Sequence, residues 1–253
     1  INVSTRTVKF PIRENNSLGR SIPATRKHEN YVQSDDKLKF FGQFNRLQSF
    51  YKNSIKSLNR DIYTKELVKT QQRMIEVLDI NLLLNYFLEP LGRGEISIRL
   101  DDIVLASCVR NSPNIIEWLD YYRALGVDKF LIVDDRSGLP ISDQIDCEDV
   151  FIWRPRSGLF RYSKAIWLEI LLRKFACNRW VVTVDSDEYL DLGTGEGSGI
   201  ECRYDLKKLV NKAEINQIEY FAGLLIDRIP GPQSLQSIKA GKLVPMCKFD
   251  HYQ

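Results

Sequence analysis

The sequence predicts an α/β protein with a mainly parallel sheet, and two observations support this prediction. From Asp102 onward, short apolar segments alternate with segments of helical periodicity, which is the pattern of consecutive β-α-β units. The apolar segments are not interrupted by alternating polar residues, so they fit strands of a sheet that is covered on both faces. The chain has 253 residues, of which 43% are hydrophobic and 27% charged, which is enough for one or two domains with a substantial core.

The part of the chain before this alternating region has a different character. Residues 1–36 are polar, mixed in charge and without periodicity, so we predict a flexible or extended leader. Apolar residues recur three or four positions apart over 40–58 and again over 65–88, which indicates amphipathic helices. We therefore assign 37–95 to a helical segment. It packs on the next domain, or its 38–88 portion contacts a second copy or a membrane surface.

Four strands and two helices are predicted in the alternating region. The first helix is predicted to have Ser112 as its N-cap, Pro113 at its first position and Gly126 at its end. A second helix over 160–176 leads into the last strand. The predicted strands are 103–109, 129–135, 149–155 and 179–185.

Polar residues follow three of these strands at the point where each strand ends. They occupy 108–110, 134–137 and 185–188. Ligands of open parallel sheets bind outside the carboxyl ends of the strands. The sequence therefore predicts that these three groups meet at one edge of the sheet and form a binding site there.

The acidic stretch that ends the fourth strand has the chemistry of a cation site. If the strand stays extended, Asp185 and Asp187 point the same way, because side chains two apart share a face. Adjacent carboxylates repel unless a cation lies between them or one is protonated, and Mg²⁺ or Mn²⁺ takes oxygen ligands. A solvated turn is the alternative, since D-x-D is a common tripeptide. Its position after the apolar "VVTV" favours the cation site.

The other two groups each allow two interpretations. Asp134 and Asp135 belong to a turn, or one of them accepts hydrogen bonds from a ribose or a base. Arg110 is a surface residue, or its guanidinium pairs with a diphosphate. The sequence has no GxGxxG after the first strand and no P-loop motif, which argues against a dinucleotide-binding fold and a P-loop enzyme.

Composition and termini bound the remaining function classes. The net charge of +3 implies no general field for polyanions, so we expect no nucleic-acid partner. Five scattered cysteines and only two histidines argue against a structural zinc site and fit reduced thiols in the cytoplasm. No segment approaches the ~18 apolar residues of a membrane span, and the first thirty residues lack a secretory apolar region. Because the chain starts at Ile1 and stops at Gln253 without a closing element, we expect a fragment of a longer protein.

Three stretches of the sequence together resemble a known family. They are "LASCVRNSPNIIEWLDYYRALGVDKFLIVDDRSG" (105–138), "WVVTVDSDEYLDL" (180–192) and, more weakly, "YFAGLLIDRIPGPQSL" (220–235). They are similar to glycosyltransferases of the GT-A fold, in particular to the family-2-like group related to family 92. The resemblance implies a Rossmann-like GT-A domain over 96–253, preceded by the helical segment and cut short at its C-terminus.

The resemblance also implies an activity and the residues that carry it. Such an enzyme moves a sugar from a nucleotide-diphosphate donor to a hydroxyl of a glycan, lipid-linked or protein acceptor, as in polysaccharide biosynthesis. A UDP-sugar is the expected donor. Asp187 would bind Mn²⁺ or Mg²⁺, with Asp185 on the metal or the ribose, and His251 as the late histidine of the metal site. Glu188 and Asp227 are the candidates for the general base. The residues expected to contact the nucleotide are Cys108, Arg110, Asp134, Asp135, Arg161 and Lys164.

Two departures from the family pattern keep alternatives open. Asn111-Ser112 stands where the family usually has Asn-Glu, so any role of that glutamate is absent. The family also completes its metal site and acceptor pocket well after the D-x-D, whereas this sequence stops soon after it, so a domain that binds a nucleotide-sugar without turnover is the main alternative. A nucleotidyltransferase is a further one, but "ASCVRNSPN" lacks the glycines that such enzymes carry after the first strand.

Overall fold

Helices and strands alternate along the part of the chain that the structure, a computed structural model, describes. This part comprises residues 34–53, 60–92, 95–192, 205–221, 228–229 and 251–252. The helices are α1 Ser34–Asn53, α2 Arg60–Val77, α3 Ile80–Phe87, α4 Ile115–Leu125, α5 Phe160–Phe175 and α6 Leu206–Ile215. The strands are β1 Leu88–Pro90, β2 Val104–Val109, β3 Lys129–Asp134, β4 Val150–Pro155, β5 Val181–Thr183, β6 Arg228–Ile229 and β7 His251–Tyr252.

A five-stranded sheet with the order β1-β4-β3-β2-β5 organises the fold. Strands β2 to β5 pair in parallel, whereas β1 runs antiparallel to β4 at the edge. Val104 pairs with Lys129 on one side of β2 and with Val181 on the other. The prediction of an α/β protein with a mainly parallel sheet is therefore confirmed, and the sheet fits a coarse Rossmann-like arrangement.

Both faces of the sheet are covered, as the apolar strands predict. Along β2 the side chains alternate: Ala106 and Cys108 enter one apolar cluster, while Leu105 and Val109 enter the other. The first cluster lies between the sheet and helices α1, α2, α3 and α5, and the second lies between the sheet and α4 with the start of α6. Burial of apolar side chains on both faces is the main source of stability for such a sheet.

The predicted helical segment contributes to the first of these clusters. Phe44, Leu67 and Met74 of α1 and α2 are fully buried there together with Trp167 of α5. β1 follows α3 directly and extends the sheet, with Leu88 opposite the last residue of β4. Among the described helices, none is long and apolar enough to cross a membrane.

Two predicted helices have different limits in the structure. The periodic stretch 65–88 is divided, because the side chain of Asp79 accepts hydrogen bonds from the amides of Asn81 and Leu82 and begins a new helix, α3. The predicted start of α4 at Ser112-Pro113 is wrong. The loop before α4 is held to the loop after β3, and α4 begins only at Ile115. Residues 1–33 of the predicted leader lie outside the described residues.

Two glycines mark the ends of connections in this sheet. Gly126 ends α4 in the left-handed conformation with φ of +103°, which confirms its predicted role. Gly158 lies between β4 and α5 with φ of +101°, and a Cβ there would stand 2.6 Å from the Cβ and Oγ of Ser163 and 2.8 Å from the ring of Trp167. The Oγ of Ser163 is itself held by the side-chain amide of Gln71 at 2.8 Å.

We expect Gly158→Ala to lower the free energy of unfolding by about 2–4 kcal/mol, because it combines a left-handed backbone with a steric clash. Urea denaturation followed by circular dichroism measures the change. Gly92→Ala is the matched control, since nothing lies within 4 Å of a Cβ at that position. Equal stabilities of the two variants would contradict the steric role of Gly158.

Candidate functional site

The order of the strands reverses at β2, and this reversal defines where a ligand site is expected. From β2 the chain passes through α4, on one face of the sheet, to β3. After β4 it passes through α5, on the opposite face, to β5 on the other side of β2. In open α/β sheets, ligands usually bind outside the carboxyl ends of the two strands at which the order reverses.

Side-chain hydrogen bonds hold together the loops that follow β2 and β3. The backbone amide of Asn111 donates to Ser137 Oγ at 2.9 Å, and the amide of Gly138 donates to Asn111 Oδ1 at 2.8 Å. Asn111 adopts a positive φ of 50°, which asparagine tolerates better than most residues. On the other side of β2, Ser107 Oγ donates to the carbonyl oxygen of Val184 at 2.7 Å. The three predicted groups therefore do meet at one edge.

The D-x-D segment forms a turn rather than an extended strand end. β5 stops at Thr183, and the amide of Glu188 donates to the carbonyl oxygen of Asp185 at 3.0 Å, which closes a four-residue turn. In return, Glu188 Oε2 accepts from the amide of Asp185 at 3.0 Å. The expectation of an extended 179–185 strand, with Asp185 and Asp187 aligned by strand alternation, is therefore wrong. The D-x-x-E spacing, the same as in a capping box, is the sequence signal for this turn.

Aromatic side chains of α4 fix the backbone of this turn. Trp118 Nε1 and the hydroxyl of Tyr122 both donate to the carbonyl oxygen of Glu188, at 3.0 and 3.1 Å. The Tyr122 hydroxyl also accepts from the amide of Leu190 at 3.0 Å, and Tyr121 donates to the carbonyl oxygen of Leu190 at 2.8 Å. We call Trp118, Tyr121 and Tyr122 the aromatic clamp. The aromatic clamp thus connects the "EWLDYY" segment of α4 to the "DSDEYL" turn.

The two carboxylates of the D-x-D segment have different surroundings. Asp185 forms an ion pair with the ammonium of Lys164, which reaches across from the first turns of α5. Asp187 is exposed, and within the described ranges its carboxylate makes no hydrogen bond or ion pair. One carboxylate is thus neutralised by the protein, and the other is available to solvent.

Asp134 and Asp135 also differ, although they are adjacent. Both carboxylate oxygens of Asp134 accept backbone amides, from Ser137 at 2.9 Å and from Ile141 at 3.0 Å, so Asp134 organises its own loop. Asp135 is also buried, but it pairs with Arg136 at 2.7 Å and approaches Arg110 at 3.7 Å. Burial raises the pKa of Asp135, and the two guanidinium groups oppose that rise. Asp135 is therefore the carboxylate of this pair that faces the cations of the edge.

Arg136 belongs to the predicted 134–137 group, although the sequence assigned it no role of its own. Besides Asp135, its guanidinium reaches the carbonyl oxygen of Pro155 at 3.3 Å, so it links the carboxyl ends of β3 and β4. Its φ of +60° is unusual for an arginine. The available signal was its position, directly after the strand-ending "VDD".

The thiol of Cys108 lies beneath the site. Its side chain is buried, and Sγ is 4.0 Å from the carbonyl oxygen of Lys164. Burial raises the pKa of this thiol strongly; the Lys164 ammonium lowers it, while the carboxylates of Asp185 and Asp135 add to the rise. These three charged groups therefore lie close enough to the thiol to influence its pKa.

The remaining predicted residues are placed only in part. Arg161 is exposed on the first turn of α5, with its guanidinium 5.8 Å from the ring of Tyr162. His251 belongs to β7 and pairs through its backbone with Ile229, but its side chain is not among those that the structure describes. Asp227 lies outside the described residues altogether. The predicted roles of His251 and Asp227 stay predictions.

The oxygen donors at this edge fit one particular mode of cation binding. In the described part of the chain, no three His, Cys, Asp or Glu side chains are grouped so that they could hold a metal ion by themselves. Mg²⁺-like cations commonly use only one or two carboxylates and take their other ligands from phosphates and water. The exposed carboxylate of Asp187 is compatible with that mode, in which most of the ligands come from outside the protein.

No family model matches the chain, and comparisons with curated proteins and with solved structures found no match either. The residues of the carboxyl edge are therefore the basis for any functional assignment. These are the D-x-D turn after β5, the Arg110–Asp135–Arg136 group after β2 and β3, and Lys164 of α5.

We expect Tyr122→Phe to lower the free energy of unfolding by about 1–3 kcal/mol, because it leaves the Leu190 amide without its buried acceptor. Urea denaturation measures the loss. Tyr220→Phe is the control, since Tyr220 is exposed and makes no hydrogen bond with the described residues. A Tyr122→Phe protein as stable as this control would show that the aromatic clamp contributes nothing measurable.

We expect N-ethylmaleimide at pH 8 to modify Cys108 at least about tenfold more slowly than Cys147 and Cys177, because Cys108 is buried with a raised pKa and the other two thiols are exposed. Mass spectrometry of the digested protein resolves the three sites. Modification of Cys108 at the rate of the exposed pair in the folded protein would contradict its placement beneath the site.

Proposed function

We propose that this chain binds a nucleotide-diphosphate sugar at the carboxyl edge of β2, β3 and β5, with a UDP-sugar as the expected donor. It then transfers the sugar to a hydroxyl of a glycan, lipid-linked or protein acceptor, as a glycosyltransferase of the GT-A type. The observation that carries the proposal is the D-x-D turn at the point where the strand order reverses. There the free carboxylate of Asp187 lies next to the Lys164–Asp185 ion pair, with Arg110 and Asp135 nearby.

The charges at this edge suit the parts of such a donor. Arg110 and Lys164 are cations that can pair with the two phosphates, and a guanidinium can do so through two parallel hydrogen bonds. Asp135 is a carboxylate after a parallel strand, where dinucleotide-binding sheets use an acidic residue to accept hydrogen bonds from ribose hydroxyls. Arg136 neutralises Asp135 and keeps it in place until the nucleotide arrives.

The reaction breaks the bond between the anomeric carbon and the diphosphate oxygen and forms a bond to the acceptor oxygen, whose proton passes to a base. A divalent cation held by Asp187 and Asp185 would supply charge stabilisation to the departing diphosphate. The aromatic clamp holds the backbone of the D-x-D turn in one conformation, so this backbone needs no reorganisation when the donor binds.

Binding of the same donor without turnover is the second candidate function. Glu188, the predicted base within the described residues, already accepts the amide of Asp185 and so has a positional role. Asp227, the other predicted base, is outside the described residues. The two candidates share the donor site and differ only in whether sugar transfer follows.

We expect calorimetric titration to show UDP binding that requires Mn²⁺, and binding about 10- to 100-fold weaker in Asp187→Ala, the range for losing one charged interaction. Asp146→Ala is the matched control, because Asp146 is an exposed aspartate in the loop that leads into β4. UDP affinity that is unchanged both without Mn²⁺ and in Asp187→Ala would contradict the donor-site proposal.

Incubation of the wild-type protein with a panel of UDP-sugars and Mn²⁺ then separates the two candidates. Release of UDP that depends on Asp187 supports the transferase. Tight binding without any release, with or without added acceptor hydroxyls, supports the binding domain.

A further inference from the structure

The ion pair between Lys164 and Asp185 occupies the carboxylate that a D-x-D cation site needs. Only 25% of the Lys164 side chain and 34% of the Asp185 side chain are exposed. By comparison, Lys208 in the surface pair with Asp205 is 73% exposed. Because solvent screens a half-buried pair less than a surface pair, the Lys164 ammonium neutralises Asp185 effectively.

The charged and titratable groups around the Lys164 ammonium come from several elements. Asp185 contacts the ammonium from the turn after β5. The thiol of Cys108, from β2, lies 4.0 Å from the carbonyl oxygen of Lys164, and Asp135, which follows β3, acts on that same thiol. On its own helix, the ring of Phe160 lies 5.7 Å away and Arg161 is exposed to solvent. An ammonium has three donors, so Lys164 can also bind phosphate oxygens that approach from the solvent side.

A divalent cation that approaches the protein without a nucleotide therefore meets an incomplete site. Asp187 offers one exposed carboxylate, but the carboxylate of Asp185 is shared with a positive charge. Like charges at such short range repel, and a half-buried setting strengthens the repulsion. An anionic diphosphate changes this balance, since it attracts the ammonium and the divalent cation together.

We propose that Lys164 is an internal counter-ion that makes cation binding depend on the nucleotide. In the nucleotide-free protein Lys164 holds Asp185. When a diphosphate binds, Lys164 transfers its hydrogen bonds to the phosphates, and Asp185 is released to take the divalent cation with Asp187. The inference rests on the proposed donor site and deepens it, because it adds an order of events: nucleotide and cation bind cooperatively, and each raises the affinity for the other by the same factor.

Substitution of Lys164 by methionine tests this proposal, because it removes the charge and keeps the length of the side chain. The probe is Mn²⁺ alone, whose free aquo ion gives an electron paramagnetic resonance signal that is lost on binding. We expect Lys164→Met to bind Mn²⁺ about three- to tenfold more tightly than wild type in the absence of nucleotide, the size of effect of one charge at a half-exposed site. The same variant should bind UDP more weakly, so the two affinities move in opposite directions.

Three further variants separate this role from a merely structural one. Lys174→Met is the matched control, since it removes the same charge from an exposed position in the last turn of α5 and should change neither affinity. Lys164→Arg keeps the charge and should leave the binding of Mn²⁺ alone as weak as in wild type.

In an Asp185→Asn background, Lys164→Met should give no gain in Mn²⁺ affinity, because the ion pair that the substitution removes is already absent. Should Lys164→Met not fold, Lys164→Gln provides the same comparison.

The outcomes for this inference and for the proposed function can be distinguished. If wild type binds UDP with Mn²⁺ but the neutral Lys164 variant binds Mn²⁺ alone no more tightly, the counter-ion proposal is overturned and the donor site stands. If wild type binds no UDP with Mn²⁺, the proposed function fails and this inference fails with it. If Lys174→Met gained as much Mn²⁺ affinity as Lys164→Met, the gain would come from the net charge of the protein and not from the ion pair. That result would also overturn the proposal.

Discussion

The hydrogen bonds from the aromatic clamp to the backbone of Glu188 and Leu190 are the constraint on which the candidate site depends. β5 is only three residues long and half-buried, so its few ladder bonds to β2 cannot by themselves fix the turn that follows it. Helix α4 compensates, because it presents indole and phenol groups whose bodies fill the core and whose polar tips reach the turn. The same side chains thus stabilise the fold and position the carboxylates.

A second property of the site follows from the order of the strands. The carboxyl ends of β2, β3 and β5 bring acidic residues together, and each of them that is buried or half-buried has a partner. Asp134 has backbone amides, Asp135 has guanidinium groups and Asp185 has an ammonium. Asp187 alone among these four lacks a partner in the described part of the chain, and it is also the exposed one. This distribution is expected, because burying a charged carboxylate without a partner costs free energy.

Much of this architecture could be predicted from the sequence, because it depends on apolar patterning. The strands predicted at 129–135 and 149–155 agree with β3 and β4 to within one residue, since charged residues bound both apolar segments. The turn at Asp185 could not be predicted from apolar patterning, because polar contacts form it: local hydrogen bonds between Asp185 and Glu188 close it, and side chains of α4 that lie about 70 residues earlier in the chain hold it. The division of the helical segment at Asp79 was missed for a local reason: a side-chain cap there outweighs an otherwise continuous helical period.

The buried hydrogen bond from Gln71 to Ser163 joins residues 92 positions apart, and it has a consequence for how the protein is made. Helices α1 to α3 leave the ribosome well before α5, which completes their cluster. Until then the apolar side chains of α1 to α3, Leu67 and Met74 among them, have no sheet to cover. Contacts between distant parts of a chain slow folding and prolong the exposure of apolar surface. During synthesis the first helices therefore expose apolar surface until α5 has left the ribosome.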